Sequence, residues 1–255
     1  MTDAIHTALV TGGAHRIGRA IAVDLAAHGY NVVVHANHSA DAASALAGEL
    51  ATLYGVRTGV VLGDLEDPEA VDGIVPAAVA AVGPLGVLVN NASLFIEDSA
   101  ADLQSALWRR QMAVNAEAPA RLIAAFALAS AEDGNDRLAI NLIDQRVLKP
   151  TPRHMSYSAS KSTLWWLTRT MAQALAPKVR VNGLSPGPVL KSAAQEQSDF
   201  DTLAAMMPLQ RTPQATEFGQ AVRFFHQMPA ITGQMLAIDG GQHLNWQTPD
   251  AVVPE

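Results

Sequence analysis

The chain has 255 residues, no cysteine and a formal net charge of −7, from 17 Lys and Arg against 24 Asp and Glu. The absence of cysteine rules out disulfides, thiol catalysis and thiolate-held metal or iron–sulfur sites, and fits a cytoplasmic protein. The acidic balance argues against a nucleic-acid binder or a polybasic membrane surface.

Hydrophobic residues make up 49% of the chain and charged ones 16%, enough for a large core. Residues 1–10 lack the basic and apolar regions of a signal peptide. The longest uncharged stretch, 74–91, is broken by Pro76, Gly83, Pro84 and Gly86, so no membrane span is expected.

In chain order, short β-branched runs alternate with Ala- and Leu-rich helical patterns. Residues 8–10 read as a strand and lead through a glycine turn into a helix over 17–28. A strand at 31–35 and a helix over about 41–54 follow, then a strand at 57–62. Pro68 suits the first turn of a helix running to about 82, and 85–90 is a strand. Helices are expected over about 103–115 and 118–131, with a strand at 137–142. A long helix over 156–176 stops at Pro177, and a strand at 179–184 ends at the Pro186-Gly187-Pro188 break. A short helix at 199–207, a longer one at 214–226 and a strand at 235–238 complete the pattern.

That is seven strands separated mostly by helices. Runs such as Val32-Val33-Val34 are apolar without alternation, as in strands covered on both faces. The expectation is an α/β fold: one doubly wound, Rossmann-type parallel sheet in a single domain over residues 1–255, with a loose tail at 249–255.

Four stretches carry chemistry. Thr11-Gly12-Gly13-Ala14-His15-Arg16-Ile17-Gly18 lies between the first strand and first helix, where glycines let a backbone approach a pyrophosphate on helix N–H groups. Arg16 beside that turn can fork towards phosphate oxygens. At the end of the second strand, where an NAD binder places a carboxylate, the chain has His35-Ala36-Asn37-His38-Ser39 and no acid before Asp41. His15, His38 and Ser39 suit a 2′-phosphate, which favours NADP. Asp64-Leu65 either bonds an adenine amine or makes a plain turn before a helix. Tyr157 and Lys161 stand four apart on one helix face, where the ammonium favours tyrosinate and lowers the phenol pKa. No histidine, His154 included, has metal-ligand spacing, so no metal is expected.

Together with Asn90-Asn91-Ala92-Ser93, Asn115, Ser185-Pro186-Gly187 and Asp239-Gly240-Gly241, these motifs resemble the short-chain dehydrogenase/reductases over about residues 5–243. The resemblance implies Tyr157 as proton donor and Lys161 on the nicotinamide ribose. It implies Asn115 shaping the active-site helix and holding a relay water. It places Gly12, Ile17, Asn91, Ala92, Pro186 and Gly187 along the cofactor.

Most members carry a serine 13 residues before the tyrosine; here that position is Asp144. An ionised carboxylate repels the alkoxide of ketone reduction. Arg16, Asp144 and the run to Phe95 together resemble the pteridine reductase and dihydromonapterin reductase branch. Met207-Pro208-Leu209 and Arg211 also resemble it.

That branch implies a pterin between nicotinamide and Phe95, with Arg16 and Ser93 touching it. NADPH gives hydride to a carbon, and Tyr157 with Asp144 gives a proton to nitrogen. It implies a homotetramer, with Trp165 or Trp166 at a subunit contact or in the core. Residues 188–210, with Lys191, Glu196 and Asp199, read as a substrate lid or as a plain surface loop. His15 and His38 stand where the branch has Lys and Arg.

Three readings follow: an NADPH-dependent reductase of dihydropterins, a general carbonyl or enoyl reductase with Asp144 protonated, and a non-catalytic NADP-sensing protein. The intact Tyr157, Lys161 and Asn115 set speaks against the last.

Overall fold

Alternating strands and helices place seven parallel strands side by side. The computed structural model describes residues 6–129, 136–191 and 196–246. The strands are β1 (Thr7–Val10), β2 (Asn31–Ala36), β3 (Thr58–Leu62), β4 (Val87–Asn90), β5 (Arg137–Leu142), β6 (Val179–Pro186) and β7 (Met235–Ile238). The helices are α1 (Arg16–Ala27), α2 (Ala40–Tyr54), α3 (Pro68–Val82), α4 (Ser105–Met112), α5 (Ala118–Leu128), α6 (Met155–Leu175), α7 (Gln197–Ala205) and α8 (Thr216–Gln227).

The sheet order is β3-β2-β1-β4-β5-β6-β7, every pairing parallel. Side chains of a strand point alternately to its two faces, so a strand covered on both sides supplies two cores. Ala8 and Val10 join one core with Ile21, Leu25, Leu46 and Phe218 of α1, α2 and α8. Leu9 and Val33 join the other with Ile74, Leu122 and Phe126 of α3 and α5.

The chain leaves β1 towards β2 on one side and later returns to pair β4 on the other. A crevice opens at such a switch point, outside the carboxyl ends of the strands.

Local chemistry sets several boundaries. Asp67 caps α3 by accepting from Glu69 N at 3.0 Å, and Pro68 at the first position needs no partner for a missing N–H.

The expected helices at 103–115 and 118–131 are α4 and α5, joined without a loop. α4 runs into a π-helical turn over Ala113–Glu117 and then into α5. The end of that second expected helix, part of the lid segment and the tail at 249–255 lie outside the described residues. Among the described residues, no helix is long and apolar enough to cross a membrane.

Candidate active site

Parallel strands bring the loops that follow them to one edge, and all four motif stretches lie there. A cavity of about 530 Å³ opens beside β1, β2, β3 and β4. Gly12, His15, Arg16, Ile17, His38, Asp64, Leu65, Asn91, Ala92 and Ser93 line it. Ser39 does not; it precedes α2 and makes no side-chain capping bond.

The glycine turn is tightly built. Gly12 has φ +60°, and a Cβ there would lie 3.1 Å from Ala92 Cα. A Cβ on Gly18 would lie 2.3 Å from Gly12 O and 2.5 Å from Asn91 Nδ2. Asn91 Nδ2 donates to Thr11 O at 2.8 Å and Gly12 O at 3.2 Å. Thr11 Oγ1 accepts from the backbone of Asn91 and Ala92 at 2.9 and 3.1 Å. The amide of Asn91 therefore braces the turn as well as facing the cavity.

Helix α1 begins at this turn without a side-chain cap and with no acid in its first turn. Its N-terminal N–H groups are thus left for an anion.

The β2 end carries Asn37 and His38 and no carboxylate. Asp64 both lines the cavity and closes a turn, accepting from Glu66 N at 2.8 Å.

Motif reasoning missed His35, Glu66, Leu94, Arg110 and Val114 in the lining. Glu66 is forked by Arg110 from α4, with bonds of 2.8 to 3.0 Å. A pair 44 residues apart leaves no local signal.

Beyond the cavity, β5 and α6 bring together the proton-handling groups. Tyr157 Oη donates to Asp144 Oδ2 at 2.9 Å. Asp144 Oδ1 also accepts from Arg146 N at 2.8 Å, and Arg146 Nη1 lies 3.4 Å away. Lys161 Nζ donates to Leu142 O at 2.8 Å.

Lowering of the tyrosine pKa by Lys161, expected from spacing, is corrected by this environment. Burial pushes the Tyr157 phenol well above its ordinary 10.0, and the charge and hydrogen bond of Asp144 add to it; Arg146 and the Ser93 hydroxyl oppose. Lys161 Nζ lies 5.7 Å from the ring centroid and does not reverse this. Burial pulls Lys161 itself from 10.5 down to about 8, with Asp144 opposing.

Asn115 sits in the π-helical turn with its side chain fully bonded. Its Nδ2 donates to Leu94 O at 2.9 Å and Ser160 Oγ at 3.0 Å, while its Oδ1 accepts from Leu94 N at 2.8 Å and Ser93 Oγ at 3.0 Å. It ties the β4 loop to α6.

Phe95, half exposed, stacks on His154 at 4.3 Å and meets Tyr157 edge-on at 4.6 Å; the Arg146 guanidinium stands 5.4 Å over its ring. Pro186 and Gly187 end β6 against β7, where Gly187 N donates to Ile238 O at 3.0 Å.

Arg16 differs from the expected phosphate fork. Its Nη2 donates to Leu190 O at 2.8 Å and its Nη1 to Lys191 O at 3.2 Å, so the fork holds the segment after β6. Trp166 is exposed on α6, whereas Trp165 is half-buried with Arg169 over its ring at 5.8 Å. Among the described residues, no group of three or more His, Asp or Glu is gathered to hold a metal.

The profile of the family described as Enoyl-(Acyl carrier protein) reductase matches residues 12–243. The chain is 28% identical to a glucose 1-dehydrogenase of Gluconobacter oxydans over 256 residues, covering 94% of this chain and 95% of that one. It is 28% identical over 243 residues to the 3-oxoacyl-[acyl-carrier-protein] reductase FabG of Staphylococcus epidermidis, covering 93% and 99%.

Two crystal structures are more similar. FolM alternative dihydrofolate reductase 1 from Brucella canis, complexed with NADP, superposes with a TM-score of 0.93 at 47% identity, covering 99% of this chain and 100% of that one. Its counterpart from Brucella suis, in complex with NADP, gives 0.89 at 48% identity, covering 96% and 98%.

Proposed function

The chain belongs to the short-chain dehydrogenase/reductase family, on its pteridine reductase-like branch, and from that premise we propose that it is an NADPH-dependent reductase of dihydropterins. Dihydromonapterin or dihydrobiopterin is taken to the tetrahydro form. The observation that carries this reading is the hydrogen bond from Tyr157 Oη to Asp144 Oδ2. It puts a carboxyl where a ketone reductase of this family has a hydroxyl.

The cavity's chemistry suits NADPH. The uncapped start of α1 and the close-packed glycines suit a pyrophosphate. His15 and His38, both lining the cavity, and the absence of a carboxylate at the end of β2 suit a 2′-phosphate. Asp64 and Leu65 suit the adenine, and Asn91, Ala92, Lys161, Pro186 and Gly187 the ribose and nicotinamide end. Bound NADPH supplies the hydride for a carbon of the pterin ring.

The chain's own residues handle the proton. As negative charge develops on the neighbouring ring nitrogen, Tyr157 passes its Oη proton there. Burial and Asp144 keep that proton on Oη at neutral pH, so the acid form is present throughout. A developing alkoxide would instead face the Asp144 carboxylate, which disfavours ordinary carbonyl reduction. Asn115 positions Ser93 and Leu94 beside the substrate, and Phe95 offers the ring against which a pterin packs.

In this reading residues 188–210 are the substrate lid. The chain assembles as a homotetramer through the α6 flank that exposes Trp166.

NADPH oxidation tests this with dihydromonapterin, dihydrobiopterin and dihydrofolate, set against ketones and enoyl thioesters. Turnover is expected with the dihydropterins and to fall about 10²- to 10⁴-fold in Tyr157→Phe. Asp144→Ser is expected to lower it as well. Turnover confined to ketones or enoyl thioesters overturns the proposal and makes Asp144 a neutral donor in the serine's place.

A further inference from the structure

We propose that His35 is a positioning residue for the cofactor, its imidazole wedged between Gly12 and Gly63 so as to set the glycine turn that receives the pyrophosphate. This rests on the NADPH reading above.

His35 is the fifth residue of β2 and is buried, in a strand otherwise filled by Val32, Val33 and Val34. A fourth aliphatic would satisfy burial alone. The imidazole instead makes two hydrogen bonds. Nε2 meets Gly63 O at 3.1 Å, and Nδ1 meets Gly12 N at 3.4 Å.

A carbonyl can only accept, so Nε2 carries the hydrogen and Nδ1 presents its lone pair to Gly12 N–H. Only the neutral ring does both, and burial holds this histidine below its ordinary 6.5.

The main chain repeats the bracing. Gly13 N donates to His35 O at 3.1 Å, and Gly63 N to Ala36 O at 3.1 Å. One residue therefore holds both glycines of the turn and joins them to the end of β3.

The arrangement mirrors Asn91. β1 lies between β2 and β4, and its turn is gripped from both neighbours. From β4, Asn91 binds the carbonyls of Thr11 and Gly12. From β2, His35 binds the N–H of Gly12.

Gly12 at φ +60° has both peptide groups fixed from opposite sides. A glycine so held loses its freedom before the cofactor arrives, and preorganisation of this kind raises affinity without adding a contact.

The test is NADPH binding by fluorescence titration, with thermal unfolding alongside, for the wild type and three variants. His35→Asn puts an acceptor near the place of Nδ1. His35→Gln puts a donor near the place of Nε2. His35→Leu has neither.

The expected result is NADPH binding about tenfold weaker in His35→Leu and His35→Gln, and within about threefold of wild type in His35→Asn. KM for NADPH should follow, with kcat at saturating cofactor nearly unchanged. A His35→Leu protein that unfolds earlier but binds NADPH like wild type overturns the proposal, because the ring then only braces the sheet. Rescue by His35→Gln and not by His35→Asn also overturns it, and this pair decides the matter if the leucine variant does not fold. A wild type that binds no NADPH overturns the parent reading as well, and is told apart by its own titration.

Discussion

Lys161 is buried against α6 and β5, with its ammonium bonded to the carbonyl of Leu142. Burial lowers its pKa from 10.5 to about 8. A shift of that size corresponds to about 3 kcal/mol of destabilisation where the side chain is charged in both folded and unfolded chains. Between pH 8 and pH 10.5 the folded protein sheds the proton while the unfolded chain keeps it, so stability rises with pH across that window. Lys161→Met is therefore expected to be more stable than wild type at pH 7 by about 1–3 kcal/mol, with turnover lost. Its advantage should shrink above pH 8. Denaturant unfolding at pH 7 and pH 9.5 checks this, and a methionine variant less stable than wild type at pH 7 contradicts it. The pairing of Tyr157 with Lys161 was legible from their spacing on one helix face and Asp144 from the family resemblance, Asp144 lying just after β5. The direction of the tyrosine's pKa was not. It depends on how deeply α6 buries the phenol, which spacing does not encode.

Helix α6 illustrates the same division at the level of an element. Its periodic pattern and its stop at Pro177 were readable. Its start was read to within one residue, but its cap was not, because the cap comes from 58 residues earlier. His154, immediately before the helix, adopts φ +56° and caps nothing with its side chain. Asp98 does so instead, its carboxylate accepting from Ser156 N at 3.1 and 3.2 Å. A buried carboxylate at a helix N-terminus satisfies an orphan N–H and meets the positive end of the macrodipole. Tyr157 is the next residue. Asp98→Ala is expected to destabilise the fold by about 1–2 kcal/mol and to lower kcat more than it raises KM for NADPH. Steady-state kinetics with thermal unfolding test this, and unchanged kcat would show that the cap does not hold the tyrosine in place. The π-helical link between α4 and α5 was not legible for a related reason. Asn115 in that turn makes four side-chain bonds, three to Ser93 and Leu94 on the β4 loop and one to Ser160 on α6, partners that local sequence does not show. The seven strands, by contrast, announce themselves locally, since strands covered on both faces read as mostly apolar runs without alternation, such as Val32-Val33-Val34.

Across the whole molecule, the turn after β1 is joined to the segment after β6 by one side chain. Arg16 stands at φ +50°, a conformation that strains any residue except glycine. Its guanidinium donates to carbonyls 174 and 175 residues away, those of Leu190 and Lys191. Those bonds tie the segment following β6 to a residue that lines the cavity. Replacement by glycine should act on two quantities in opposite ways. Arg16→Gly removes backbone strain of about 1 kcal/mol and loses two hydrogen bonds of similar net worth, so the unfolding midpoint should move little. The segment it releases should open more often, because local opening depends on the contacts of that segment and not on global stability. Native-state tryptic cleavage after Lys191 is expected to accelerate about tenfold, with the global unfolding midpoint little changed. If this segment is the proposed lid over the proposed dihydropterin, KM for that substrate should rise, since a lid that opens freely holds its substrate less well. Unaltered cleavage there would mean that the segment is held by its own packing, and that the arginine serves only the ligand.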